Sequence, residues 1–146
     1  DMAAFTRAHR AAAIDMTQTY LVMTNPNIER RVRRQGNGAE TLYFYTEKHL
    51  MPDGEKWDTE RPISKKQYEK YLLERDTALS PVHKTKYRFI FADRRCEIDV
   101  YPFSVEKAVL FQYGGEAPLP EEITVLEEVT AQPAYKNRAL AASQKL

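Results

Sequence analysis

The chain has little of several things. One cysteine, Cys96, stands in 146 residues; this excludes an internal disulfide framework and points to a reducing, cytoplasmic compartment. An excess of one charge sign is also missing, since Lys+Arg 22 against Asp+Glu 21 leaves a formal net charge of +1. That balance excludes a polycationic nucleic-acid tail and a highly charged disordered segment. No apolar run approaches the ~18 residues a membrane-spanning helix requires, and no signal peptide is visible. His9, His49 and His83 share no metal-ligand spacing with one another or with Cys96, and no Ser/His/Asp arrangement is suggested. The hydrophobic content of 42%, with 11% aromatics, suffices for one packed core, and a single domain of this length needs neither disulfide nor metal merely to fold.

Residues 1–13 carry alanines with Arg7, His9 and Arg10 and read as a short helix or a connecting segment upstream of a domain over residues 14–146. From Ile14 onward, short β-branched and aromatic runs alternate with turn signals, the antiparallel pattern. Strands are predicted at Ile14 to Met23, Ile28 to Gln35, Thr41 to His49 and Glu55 to Arg61. Asn25-Pro26-Asn27, Gly36-Asn37-Gly38 and Pro52-Asp53-Gly54 mark the turns between them. Ser64 with Gln67 forms a capping box at the head of a helix from Lys65 to Asp76, which would bury Tyr68, Tyr71, Leu72 and Leu79. Further strands are predicted at His83 to Phe91, Cys96 to Tyr101, Ala108 to Tyr113 and Ile123 to Val129, before a closing helix from Ala134 to Lys145. The sum is an α+β domain with about eight antiparallel strands, a number suited to closure into a β-barrel with a few packing helices.

Read with a period of two, each strand has two characters. Arg31 and Arg33 share a face with Val32 opposite. Thr46 and Lys48 share one with Phe44, and Asp58 shares one with Glu60, opposite Trp57. Lys84, Lys86 and Arg88 line one side while Tyr87, Phe89 and Phe91 line the other. Glu97 and Asp99 oppose Cys96, Ile98 and Val100. A sheet with one solvated face explains this alternation without any ligand. An inward-facing ionic lumen explains it as well, and also why carboxylates interleave with bases on strands. A basic lumen attracts a polyanion, because water exclusion magnifies each charge. Acidic residues there would hold a hard cation such as Mg²⁺ or Mn²⁺.

The motifs, in order, resemble the CYTH family, the triphosphate tunnel metalloenzymes. They are Gln18-Thr19-Tyr20-Leu21, the R-x-R element within Glu29-Arg30-Arg31-Val32-Arg33, and Thr46-Glu47-Lys48 as T-x-K. Asp58-Thr59-Glu60 stands for E-x-E, Lys84-Thr85-Lys86-Tyr87 for K-T-R-Y, and Glu97-Ile98-Asp99-Val100-Tyr101 for E-x-D-x-F. Glu128-Val129-Thr130, Tyr135-Lys136-Asn137 and Leu140-Ala141 match the closing segment. The resemblance implies an eight-stranded antiparallel tunnel that binds a triphosphate (inorganic, thiamine or nucleoside) with Mg²⁺ or Mn²⁺ and hydrolyses it. Carried over, Arg31, Arg33, Lys48, Lys84, Lys86 and Arg88 would grip phosphate oxygens. Glu97, Asp99 and Glu128 would hold metal, helped by Asp58 or Glu60. Lys86, Arg33 and Glu97 would carry the catalysis.

Two features depart from the family. Its opening E-x-E-R-K is absent from residues 1–13, as in a tunnel domain whose first motif strand lies further upstream. Where it has L-E-x-E, this chain has Leu110-Phe111-Gln112-Tyr113, so aromatics replace two carboxylates. The variants look most like the CYTH-type domain fused behind a P-loop ATPase module. They open an alternative role, a catalytically degenerate domain that binds phosphate, nucleotide or phospholipid and regulates a larger protein.

The remaining signals have simpler explanations. Arg30-Arg31-Val32-Arg33-Arg34 would split between two strand faces, which argues against a nucleic-acid patch. Gly36-Asn37-Gly38 lacks the GK[ST] ending and following helix of a phosphate loop and reads as a hairpin turn. Cys96 alternates onto the apolar face, as a buried structural thiol.

Overall fold

A computed structural model describes residues 1–36 and 38–146. The helix α1 (Met2–His9) precedes strands β1 (Ala12–Tyr20), β2 (Ile28–Gln35), β3 (Leu42–Leu50) and β4 (Lys56–Ile63). Helix α2 (Lys65–Leu72) follows, then β5 (Val82–Phe91), β6 (Arg94–Tyr101), β7 (Ser104–Gln112) and α3 (Asn137–Ser143). The strands form one seven-stranded sheet in the order β4-β3-β2-β1-β5-β6-β7, antiparallel at every pairing. Among the described residues no helix is long and apolar enough to cross a membrane.

The alternation of side chains decides how the sheet is covered. One face presents Leu21, Val32, Tyr45 and Ile63 to α2, whose Tyr68 is buried among them with Tyr43, Tyr71 and Leu72 alongside. The expected capping box starts this helix: the Gln67 N–H donates to Ser64 Oγ at 3.1 Å and the Ser64 N–H to Gln67 Oε1 at 2.9 Å. The same face of β5 and β6 offers Phe89, Cys96 and Ile98 to Phe5 of α1. One buried aromatic is thus enough to seat a helix that shows no apolar stripe in sequence. Cys96 is buried there, as its alternation required. The opposite face carries a third cluster at one end only, where Leu140 and Ala141 of α3 pack on Tyr20, Val82, Tyr101 and Val109.

The structure departs from six of the expectations. The sheet is not closed, and the seven strands found fall one short of the barrel. The strand expected at Ile123 to Val129 is irregular. Val125 and Leu126 are exposed there, and β-branched composition makes no strand where its side chains find no packed, half-buried surface. The helix predicted to reach Asp76 ends at Leu72 because the chain is drawn to the end of β1. There Val22 N–H bonds Glu74 O, Asp76 N–H bonds Tyr20 O, and Leu21 bridges Arg75. For the same reason the first strand stops at Tyr20 instead of Met23. The closing helix is split into a turn of 3₁₀ helix at Pro133–Tyr135 and α3. Leu79 joins the α3 cluster instead of the α2 cluster. The predicted turn at Gly36-Asn37-Gly38 falls partly outside the described residues.

Candidate functional site

Strand register puts the charged positions on one face. Arg31 lies opposite Thr46, which lies opposite Glu60; Glu29 faces Lys48, which faces Asp58. Arg33 lies opposite Gln18 of β1. On the other side of β1, Met16 pairs with Lys84 and Ile14 with Lys86. Lys86 then faces Asp99, Arg88 faces Glu97, and Glu97 faces Phe111. All six cations expected to contact phosphate therefore share the face that α1 and α2 leave uncovered, as do Asp58, Glu60, Glu97 and Asp99. Lys84, Glu97, Asp99, Gln18 and Thr46 are nevertheless buried. The middle of the face is thus withdrawn from water, while Arg88, Asp58 and Glu60 remain exposed.

The β5–β6 half is a dense ionic lattice, in which Asp99 Oδ1 is buried with no hydrogen-bond partner among the described residues. Lys84 Nζ lies 2.6 Å from Asp99 Oδ2 and Lys86 Nζ lies 3.2 Å from Asp99 Oδ1. Lys86 also bonds Glu97 Oε2, and Arg88 Nε reaches Glu97 Oε1 at 3.1 Å. Asn137 of α3 accepts from Lys84 at 3.4 Å, and the Tyr113 hydroxyl donates to Glu97 at 3.3 Å. Burial is the main influence on Lys84 and pushes its ammonium below the ordinary value, against the pull of Asp99. Burial alone would raise the Glu97 carboxyl, but the hydrogen bond and charge of Lys86, together with Arg88, hold it below its usual range.

The β2–β3 half is different. Four of its buried polar atoms find no hydrogen-bond partner among the described residues: Arg31 Nε, Arg33 Nε, Thr46 Oγ1 and Gln18 Oε1. Arg33 meets Glu60 Oε1 at 2.5 Å through Nη2 and stacks on Phe44 at 4.7 Å, while Arg31 and Lys48 pair with no carboxylate among the described residues. Burial pushes the Arg33 guanidinium down, partly offset by Glu60, and the charges of Arg31 and Arg88 push the same way. Arg31 in turn acts on Lys84 across β1. Arg31 Nε, Arg33 Nε and Thr46 Oγ1 can donate to an anion, whereas Gln18 Oε1 can only accept.

The carboxylates do not gather into a metal centre. Glu128 lies on the irregular segment, exposed, accepting from Thr130 Oγ1 at 3.0 Å. Asp58 and Glu60 on β4 stand five strand spacings from Glu97 and Asp99 on β6, about 24 Å measured along the sheet. Glu97 and Asp99 are neighbours, but lysine ammoniums occupy their oxygens. Among the described residues no three His, Cys, Asp or Glu side chains come close enough to share a cation. The residues present do not fit the divalent metal that the resemblance calls for.

A cavity of about 250 Å³ between β3, β4 and α2 is lined by Tyr45, Glu47, Thr59, Glu60, Arg61 and Tyr71. Its two carboxylates against one guanidinium make it a poor place for a phosphate. The charge pattern of the sequence assigned no role to the uncharged Gln18 and Asn137, and it marked Tyr113 only as a replaced carboxylate. Gln18 and Asn137 stand inside the matched motifs, which was the one signal available for them.

Strand order, the ionic face and the helical cover together define a CYTH-type α+β fold. The particular likeness is to NE1496, known from two crystal structures, one described as a hypothetical protein and the other as an inorganic triphosphatase. Both are 28% identical to this chain and cover 90% of it; it covers 87% and 84% of theirs, with TM-scores of 0.62 and 0.61. No protein-family model and no curated protein matches the chain.

Proposed function

We propose that this protein binds the triphosphate group of a small molecule on its ionic face and hydrolyses it. The observation that carries this reading is the set of unpartnered buried donors on β2 and β3, Arg31 Nε, Arg33 Nε and Thr46 Oγ1, beside Lys48 and with Lys84, Lys86 and Arg88 across β1. The likeness to an inorganic triphosphatase supports the choice of anion. Arg31 and Arg33 would grip phosphate oxygens with fixed guanidinium forks, and Lys48 would add a point charge. Lys86 and Arg33 flank the face from opposite sides of β1 and would stabilise charge developing on the transferred phosphoryl group. Phosphoryl transfer needs little more from a protein than positioning and charge. Glu97 would act by holding Lys86 in place. The single buried thiol suits a cytoplasmic setting.

Calorimetric titration with inorganic triphosphate, alongside measurement of released phosphate, tests the reading. Wild-type protein is expected to bind and turn over, and Arg33→Ala to bind about 100-fold more weakly, the worth of charge-assisted hydrogen bonds lost from a buried site. Absence of binding to inorganic triphosphate, thiamine triphosphate, ATP and GTP alike would overturn it.

Phe111 and Tyr113 favour a second reading. They place aromatics beside Lys86 and Glu97 where the resemblance has carboxylates. The same face would then hold a nucleotide or a phosphorylated lipid headgroup without turnover, regulating a larger protein such as one with a P-loop ATPase domain. Binding without phosphate release separates the two.

A further inference from the structure

The most unusual feature of the ionic face is where its acidic residues have gone. A divalent cation in a phosphate site joins protein carboxylates to phosphate oxygens. Here Lys86 Nζ already stands between Glu97 Oε2 and Asp99 Oδ1, and Lys84 closes the remaining oxygen of Asp99. Asp99 Oδ1 has no hydrogen-bond partner among the described residues, but it lies 3.2 Å from the Lys86 ammonium. The side chains of Asp99 and Glu97 are 1% and 6% exposed, so neither offers an accessible oxygen to a hydrated ion. The surroundings reinforce the ammonium. The Phe111 ring lies 5.3 Å from Lys86 Nζ, a cation–π contact, and the Tyr113 hydroxyl takes a share of Glu97 Oε2. Admitting a divalent ion would strand two buried lysines, at a large cost.

We propose that the triphosphate is held here without a divalent cation, the Lys86 ammonium between Glu97 and Asp99 serving as the fixed positive bridge to phosphate. This rests on the reading of the face as a triphosphate site. Lys86 is 12% exposed and so reaches the open side of the face. Lys84, at 4%, lies behind it and fixes Asp99.

The test is the affinity for inorganic triphosphate measured calorimetrically in EDTA and in excess Mg²⁺, together with Mn²⁺ titration followed by electron paramagnetic resonance without triphosphate. The expected result is binding in EDTA at least as tight as in Mg²⁺, with no bound-Mn²⁺ signal. Affinity in EDTA about tenfold or more below that in Mg²⁺, or stoichiometric Mn²⁺ on the wild-type protein alone, overturns the inference while leaving the triphosphate site standing. No binding in either buffer instead removes the site itself. Lys86→Gln, checked for folding by circular dichroism, is expected to lose about tenfold in affinity in EDTA. Wild-type affinity for that variant in EDTA would also overturn the proposal. Should it fail to fold, the wild-type titrations decide alone.

Discussion

The two halves of the ionic face use the same residue types to opposite ends. Across β5 and β6, Lys84, Lys86 and Arg88 are matched by Glu97 and Asp99 at short range, although Asp99 Oδ1, 3.2 Å from Lys86, makes no hydrogen bond among the described residues. Across β2 and β3, Arg31, Arg33 and Lys48 have one carboxylate partner, Glu60, and leave buried N–H groups with nothing to bond. The first arrangement is self-sufficient, so breaking it harms the protein. The second is incomplete, and on the proposed function a triphosphate would complete it. Charge density does not mark a recognition surface by itself; unanswered, buried charge does.

The sharpest way to break this contrast is Asp99→Asn. It leaves Lys84 and Lys86 without their shared counter-ion in a buried site and is expected to cost about 3 kcal/mol. At this chain length that lowers Tm by roughly 6 to 12 °C, readable by thermal denaturation. Next comes Arg31→Ala in the other half. Arg31 answers no carboxylate, so thermal stability should barely move while triphosphate affinity falls about 10- to 100-fold in a titration. A comparable Tm loss in both variants would erase the distinction between the halves.

Acid should also separate them. The Glu97 carboxyl is held below its ordinary value of 4.5 in the folded chain, so the stability it contributes is present above that value and lost as pH falls through the lower, folded one. Urea midpoints at about pH 6 and about pH 3 should therefore differ more for wild type than for Glu97→Gln. The smallest effect belongs to Glu60→Gln. Its carboxylate is 42% exposed, so stability should change by less than about 1 kcal/mol. Freeing Arg33 from its competitor should raise triphosphate affinity about threefold.

What the sequence disclosed follows the range of the forces involved. Which residues share a face is settled locally, by the two-residue period of a strand. That is why Arg31 with Arg33, Lys84 with Lys86 and Arg88, and Glu97 with Asp99 could be grouped by reading alone. The Ser64–Gln67 cap was legible for the same reason. Closure of the sheet is not local. Ile123 to Val129 has strand composition but joins neither free edge of the sheet, and the end of α2 is set by β1, far away in sequence. The pairing of Lys86 with Glu97 and Asp99 was equally hidden. Counting charges on a face does not reveal which of them neutralise each other; that depends on register across β5 and β6. Phe111 and Tyr113 were noticed as departures, but only their contacts with Lys86 and Glu97 say what they do.

An unclosed sheet has a raw margin, and β4 is one. Its outer side has no strand partner among the described residues, and all its residues except Ile63 are exposed. Pro62 withholds an amide from any intruding chain, and Lys56, Asp58, Glu60 and Arg61 surround that margin with charge, which discourages one copy from annealing to the next. The carboxylates at the rim of the ionic face thus double as a guard against self-association. Concentrated salt, by shielding them, would loosen that guard.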